Sequence, residues 1–279
     1  MGSITTGIPN LNINMVVDNI SMLKDVHSVQ LAGNKLIAQV KDGLSDAKYN
    51  EIAKQLRIVF SISFEQVYSE DYEVSYPGNG IGYGGHNERK NHLLSENLNF
   101  EGNFLHTSQL IFQDLLGTLT SITVQTRFFN LAYIWTRAHE LEDLKLLTEA
   151  YVQYWRILDE FHNKGTKSQS LNALRTFGLE ENKSNIFAAQ VLAGISREQR
   201  KSAVGEIADI ANLDRLRHPH AHQAGGRRKY YLEDETHIEA KTNNWLISDI
   251  TKLFILWQIG LNNYYLNPRA NIYEIKKAE

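Results

Sequence analysis

Arg217, His218, His220 and His222 fall within one run of six residues, Arg217-His218-Pro219-His220-Ala221-His222. An arginine grips a phosphate through two parallel N–H donors, and a histidine moves a proton near neutral pH. Those are the two requirements for cleaving an RNA phosphodiester. Pro219 has no amide hydrogen and disfavours helical backbone at His218, so a preceding helix should stop by about Arg217 and a new turn should begin near Pro219. A helix start there would present unpaired backbone N–H groups and the positive end of a dipole to an anion.

Arginine, a polar residue, three variable residues and then histidine resembles the Rx4-6H signature of the HEPN superfamily (higher eukaryotes and prokaryotes nucleotide-binding). Here Arg217, His218 and His222 carry the match. The polar second position, often asparagine or aspartate in that family, is histidine in this chain. The run Tyr154-Trp155-Arg156-Ile157-Leu158-Asp159-Glu160 is similar to an aromatic-Arg-x-Leu-Glu run in the second helix of several relatives. The resemblance implies a helical bundle and metal-independent RNA cleavage by the substrate's own 2′-hydroxyl. Arg217 and His222 would be the catalytic pair, and two protomers would face one phosphate as a homodimer. It further implies a toxin–antitoxin, abortive-infection or other anti-phage setting, with an antitoxin or regulatory protein as partner. The other member type it implies is a catalytically silent module that binds RNA, a nucleotide or a protein, and resemblance to MauJ-like accessory proteins suits that type.

Other residues bear on the same chemistry. A buried guanidinium needs a carboxylate, and Asp159 or Glu160 can supply one for Arg217. Adjacent helix positions point about 100° apart, so only one of the two fits. Arg227-Arg228-Lys229-Tyr230-Tyr231 mixes cations with aromatics, a composition suited to holding an RNA backbone and stacking a base, or to an exposed loop. The alternation of His218, His220 and His222 would line one face of a strand as metal ligands do, but Pro219 points to a turn. The reading therefore carries no metal and no cofactor, with His220 in a supporting role. Gly80, Gly82 and Gly85 form a GxGxxG string with neither a strand leading into it nor a helix opening from it, unlike a dinucleotide fingerprint. His86, Arg89 and His92 follow it as linker residues.

The chain has 279 residues, 42% of them hydrophobic, enough for a substantial core. With 29 basic and 32 acidic side chains the net charge is -3, so any contact with nucleic acid must be local. The absence of cysteine excludes disulfides, thiol catalysis and cysteine–zinc sites. No apolar stretch reaches membrane-spanning length and no signal peptide is legible, so the expectation is a cytoplasmic protein without a membrane partner.

The elements that would position these residues suggest an α+β chain. Val29-Gln30-Leu31 and Leu36 to Val40 read as a hairpin about Gly33-Asn34, a helix starts at Ser45-Asp46, and Ile58 to Phe64 reads as β-rich. Residues 1–80 form a small α+β domain in this reading, 81–104 a Gly/Asn-rich linker, and 105–279 a mainly α-helical HEPN-like bundle. Its clearest helix covers 140–162, with Leu144, Leu147, Tyr151, Tyr154, Trp155, Leu158 and Phe161 on one stripe. Shorter helices are expected over about 168–177, 185–193 and 197–213. A long one is expected over about 244–266.

Overall fold

The computed structural model describes residues 1–66 apart from 10 and 12, 72–76, 80–84, 102–162 apart from 119, and 247–277 apart from 250, 254, 262, 270 and 271. The fold is α+β. Its contacts divide it into two units, Met1–Ala132 and Tyr133–Glu279.

The first unit holds β1 (Gly2–Gly7), β2 (Asn14–Asp18), β3 (Val26–Ala32), β4 (Lys35–Val40), α1 (Asp46–Phe64), β5 (Tyr72–Tyr76), β6 (Gly80–Gly84) and α2 (Gly102–Gly117). Its six strands pair antiparallel in the order β2-β3-β4-β1-β5-β6. The period-2 pattern fixes which face is apolar. Val17, Val29, Ala38, Ile4 and Val74 are register partners in sequence across five strands, and all are buried. The opposite face carries Ser3, Thr5, Ser28, Gln30, Gln39, Glu73 and Ser75, half-buried or exposed. The β3–β4 hairpin forms where the sequence reads it. Ala32 pairs with Lys35 across Gly33-Asn34, and Gly33 at φ 58 supplies the positive dihedral that the first turn residue of a type II′ hairpin needs.

Ser45 caps α1, its Oγ accepting from the Lys48 N–H at 3.3 Å, and Asp46 sits in the first turn, where the helix dipole favours an acid. Tyr49, Ile52, Ala53 and Leu56 make one apolar face, and from Arg57 to Phe64 every residue is buried. That second half corrects the β-rich reading of Ile58 to Phe64. A helix buried all round has no amphipathic period to read, and its valine, isoleucine and phenylalanine content resembles that of a strand. Phe60, Phe64 and Phe112 of α2 make an aromatic cluster, with ring centroids 4.9 Å apart for Phe60–Phe64, 5.6 Å for Phe64–Phe112 and 6.5 Å for Phe60–Phe112. Glu65, at φ 55, ends α1 in the left-handed conformation.

The division between units falls inside α3 (Ile122–Asp143) and not in the stretch 81–104 that the sequence reads as a linker. Residues 81–84 of that stretch belong to a paired strand, and residues 85–101 lie outside the described ones.

The second unit contains the end of α3, then α4 (Leu147–His162), helical backbone at 247–249, 251–253 and 255–258, and a hairpin of β7 (Tyr264–Arg269) and β8 (Ile272–Lys277). The single helix expected over 140–162 is broken. Lys145 turns left-handed at φ 62, its N–H bonds to the Glu142 carbonyl and the Leu146 N–H to the Leu141 carbonyl, both at 2.8 Å, which is a Schellman stop. Leu144 is consequently exposed. Tyr151 and Tyr154 keep their places on the buried stripe, joined by Ala150 and Ile157.

The helix expected to run to 266 is also corrected. Gly260 at φ 89 closes the helical backbone with the same pair of bonds, Gly260 N–H to the Trp257 carbonyl and Leu261 N–H to the Leu256 carbonyl. The chain then enters β7, and the Trp257 Nε1–H donates to the Tyr264 carbonyl at 3.0 Å. The helices expected over 168–177, 185–193 and 197–213 lie outside the described residues. Among the described residues no helix is long and apolar enough to cross a membrane.

Phe112 is fully buried at the centre of the α1–α2 contact. Phe112→Ala is expected to lower the unfolding free energy of the first unit by about 3–5 kcal/mol, the range for deleting a buried ring. Val16→Ala on the exposed edge strand β2 should change it by less than about 0.5 kcal/mol. Urea unfolding followed by far-ultraviolet circular dichroism measures both.

Candidate functional site

Arg217, His218, His220, His222, Arg227, Arg228 and Lys229 lie outside the described residues, as do His86, Arg89 and His92. Asp159 and Glu160 are consecutive positions on α4. Within the run that begins at Tyr154, Tyr154 and Ile157 are buried, while Arg156 is exposed and its Nη1–H donates to Gln153 Oε1 at 2.9 Å. Gly80 and Gly82 sit in β6, paired antiparallel with Tyr76 and Val74, which is not the strand-to-helix turn that holds a dinucleotide.

The described residues with the richest polar chemistry gather where α3 meets α4. Trp135, His139 and Glu142 follow one another at helical spacing on α3, so their side chains share a face. The Trp135 and His139 rings stack with centroids 5.0 Å apart and an interplanar angle of 15°. His139 Nδ1 lies 3.1 Å from Glu142 Oε2 and 3.2 Å from the Tyr154 hydroxyl. That hydroxyl, reaching over from α4, donates to the same Glu142 oxygen at 2.9 Å. Glu142 thus fixes the imidazole and the phenol together. Trp135 anchors the group to the C-terminal part of the unit, its Nε1–H donating to the Ser248 carbonyl at 3.0 Å, with Lys252 Nζ 6.0 Å from its ring.

A carboxylate that orients an imidazole is the arrangement used to hold or move a proton at a set place. Tyr154 is fully buried, whereas the His139 side chain retains 19% of its exposure. A molecule arriving from solvent would therefore meet the imidazole edge and not the phenol. Nearby, the Arg137 Nη1–H donates to Glu140 Oε2 at 2.6 Å. The Asp143 carboxyl is held above the usual carboxylate range. The protein packed around it is the largest cause, the charge of His139 opposes it, Glu142 adds to it, Lys145 opposes it and Glu140 adds a little more.

From sequence alone Tyr154 belongs to an apolar stripe, and the legible signal of this cluster is a histidine and a glutamate three residues apart, one turn after a tryptophan. In comparisons with protein-family models, with curated proteins and with solved structures, nothing matches this chain.

Asp143 gives a pH-dependent prediction. Its folded form binds a proton more tightly than its unfolded form, so the stability it contributes is present in acid and is lost as pH rises through its raised folded value. At neutral pH its charge is a cost, reduced by screening because the residue keeps much of its surface in solvent. Asp143→Asn should therefore be more stable than the wild type in urea at neutral pH, with the advantage vanishing in acid below the ordinary carboxylate range. A variant less stable at neutral pH contradicts this account.

Proposed function

We propose that the protein is a metal-independent endoribonuclease of the HEPN type, acting as a homodimer in a toxin or anti-phage defence setting. The observation that carries the reading is the Arg217-x4-His222 spacing with a polar residue, His218, next to the arginine. Support comes also from the Tyr154 to Glu160 run, which lies on the helix α4 and places Tyr154 and Ile157 inward.

In this reading Arg217 holds the non-bridging phosphate oxygens through paired N–H donors, and its charge offsets the negative charge that grows on them. The RNA 2′-hydroxyl oxygen attacks phosphorus and loses its proton, the bond to the 5′-oxygen breaks, and that oxygen gains a proton. The products are a 2′,3′-cyclic phosphate and a 5′-hydroxyl. His222 serves the proton transfers, and His218 and His220 add hydrogen bonds. Asp159 or Glu160 orients Arg217. Arg227, Arg228 and Lys229 hold the RNA backbone, and an antitoxin or regulatory protein would restrain the activity.

The test incubates mixed RNA with the protein in excess chelator, alongside Arg217→Ala and His222→Ala. The expected result is chelator-resistant cleavage leaving cyclic phosphate ends, reduced at least about 100-fold by either substitution, as loss of a proton-transfer or charge-stabilising group requires. Equal cleavage by all three proteins overturns the proposal. RNA binding without cleavage by the wild type replaces it with the silent binding module.

A further inference from the structure

We propose that His139 is a pH-sensitive latch whose charged form fastens the end of α3 to α4 and whose neutral form lets that corner loosen. This inference stands apart from the ribonuclease reading and rests on the described geometry. Three carboxylates, Glu140, Glu142 and Asp143, crowd the last turn of α3. That end carries the negative end of the helix dipole, so added negative charge there is unfavourable. Arg137 answers Glu140 at 2.6 Å, and Lys145 acts on Asp143. Glu142 is answered by His139 Nδ1 at 3.1 Å and by the Tyr154 hydroxyl.

A charged imidazolium suits this position in three ways. It pairs with Glu142, it complements the carbonyl end of the helix, and it stacks on the Trp135 face, where a cation is attracted to the ring. The groups around it include Glu142 and Asp143 on α3 and the Tyr154 hydroxyl on α4, with Lys252 over the same Trp135 ring from the C-terminal segment. When the imidazole loses its charge, its contact with the Tyr154 hydroxyl can persist but the ion pair with Glu142 does not. The acidic turn then keeps its negative charge with less to balance it.

The corner is poised to respond. It turns on Lys145, a non-glycine residue in the left-handed region, and exposes Leu144 and Leu146, so few apolar contacts hold the turn itself. The His139–Glu142–Tyr154 group and the Trp135–Tyr154 ring contact, whose centroids are 6.2 Å apart, tie α3 to α4 there. The sign follows from the charge. The attraction is present while the imidazole is protonated and is lost as pH rises through its titration.

The experiment compares the full-length wild type with His139→Gln in thermal unfolding at about pH 5 and about pH 8, on either side of imidazole titration. Glutamine keeps an N–H donor for Glu142 and never carries charge. The wild type should melt about 2–4 °C above the variant in acid, the shift expected for an interaction near 1 kcal/mol in a chain of this size, and the gap should close in alkali. A gap of equal size at both pH values overturns the proposal. Should His139→Gln fail to fold, Glu142→Gln read by nuclear magnetic resonance of labelled histidine decides the question. One of the 10 histidines should then titrate at a lower pH than in the wild type. Ten unchanged midpoints overturn the latch.

Discussion

The second half of α1 has no side it can give to water. From Arg57 to Phe64 all residues are buried, so the helix needs the apolar face of the sheet on one side and a second helix on another. The sheet supplies the row Val17, Val29, Ala38, Ile4 and Val74, and α2 supplies Phe112. Each such aliphatic or aromatic side chain contributes about 1.5–3 kcal/mol when fully buried, so this two-sided cover outweighs any single polar contact in the unit. It also explains why α2 belongs with the sheet. An isolated sheet-plus-helix unit ending near residue 80 would leave Phe60 and Phe64 without Phe112.

The second unit is organised around a side chain that is both apolar and polar. Trp135 is fully buried, stacks on His139, meets the Tyr154 ring and donates to the Ser248 carbonyl. One indole thereby links α3, α4 and the C-terminal segment. A buried tryptophan N–H needs an acceptor, and a main-chain carbonyl at 3.0 Å meets that need. The polar group built on it is connected: Glu142 accepts from the Tyr154 hydroxyl and lies 3.1 Å from His139 Nδ1. Charge and packing are coupled there, since moving Tyr154 would break a hydrogen bond and a ring contact together.

Parts of this architecture were legible because local chemistry and tertiary need agreed. Gly33-Asn34 between two alternating runs specified a hairpin, and Ser45-Asp46 specified a helix start. Other parts were hidden where they disagreed. Ile58 to Phe64 looks like a strand because complete burial erases the helical period. Lys145 stops α3 in a conformation normally taken by glycine, so no residue type announced the break after Asp143. Gly260 did announce the end of the C-terminal helical backbone, but the apolar periodicity continuing through Leu261 and Leu266 concealed it. The candidate site divides in the same way. Arg217 and His222 are conspicuous by type and spacing, whereas the His139–Glu142–Tyr154 group is assembled across two helices and is visible only once Tyr154 is placed beside α3.

The dependence of the first unit on a helix covered from two sides is tested most directly by amide hydrogen exchange of the intact protein. The account predicts that the amides of Arg57 to Phe64 are among the slowest in Met1–Ala132 and exchange only through unfolding of the whole unit, far behind those of the edge strand β2. Exchange of Arg57 to Phe64 at the rate of β2 would contradict it.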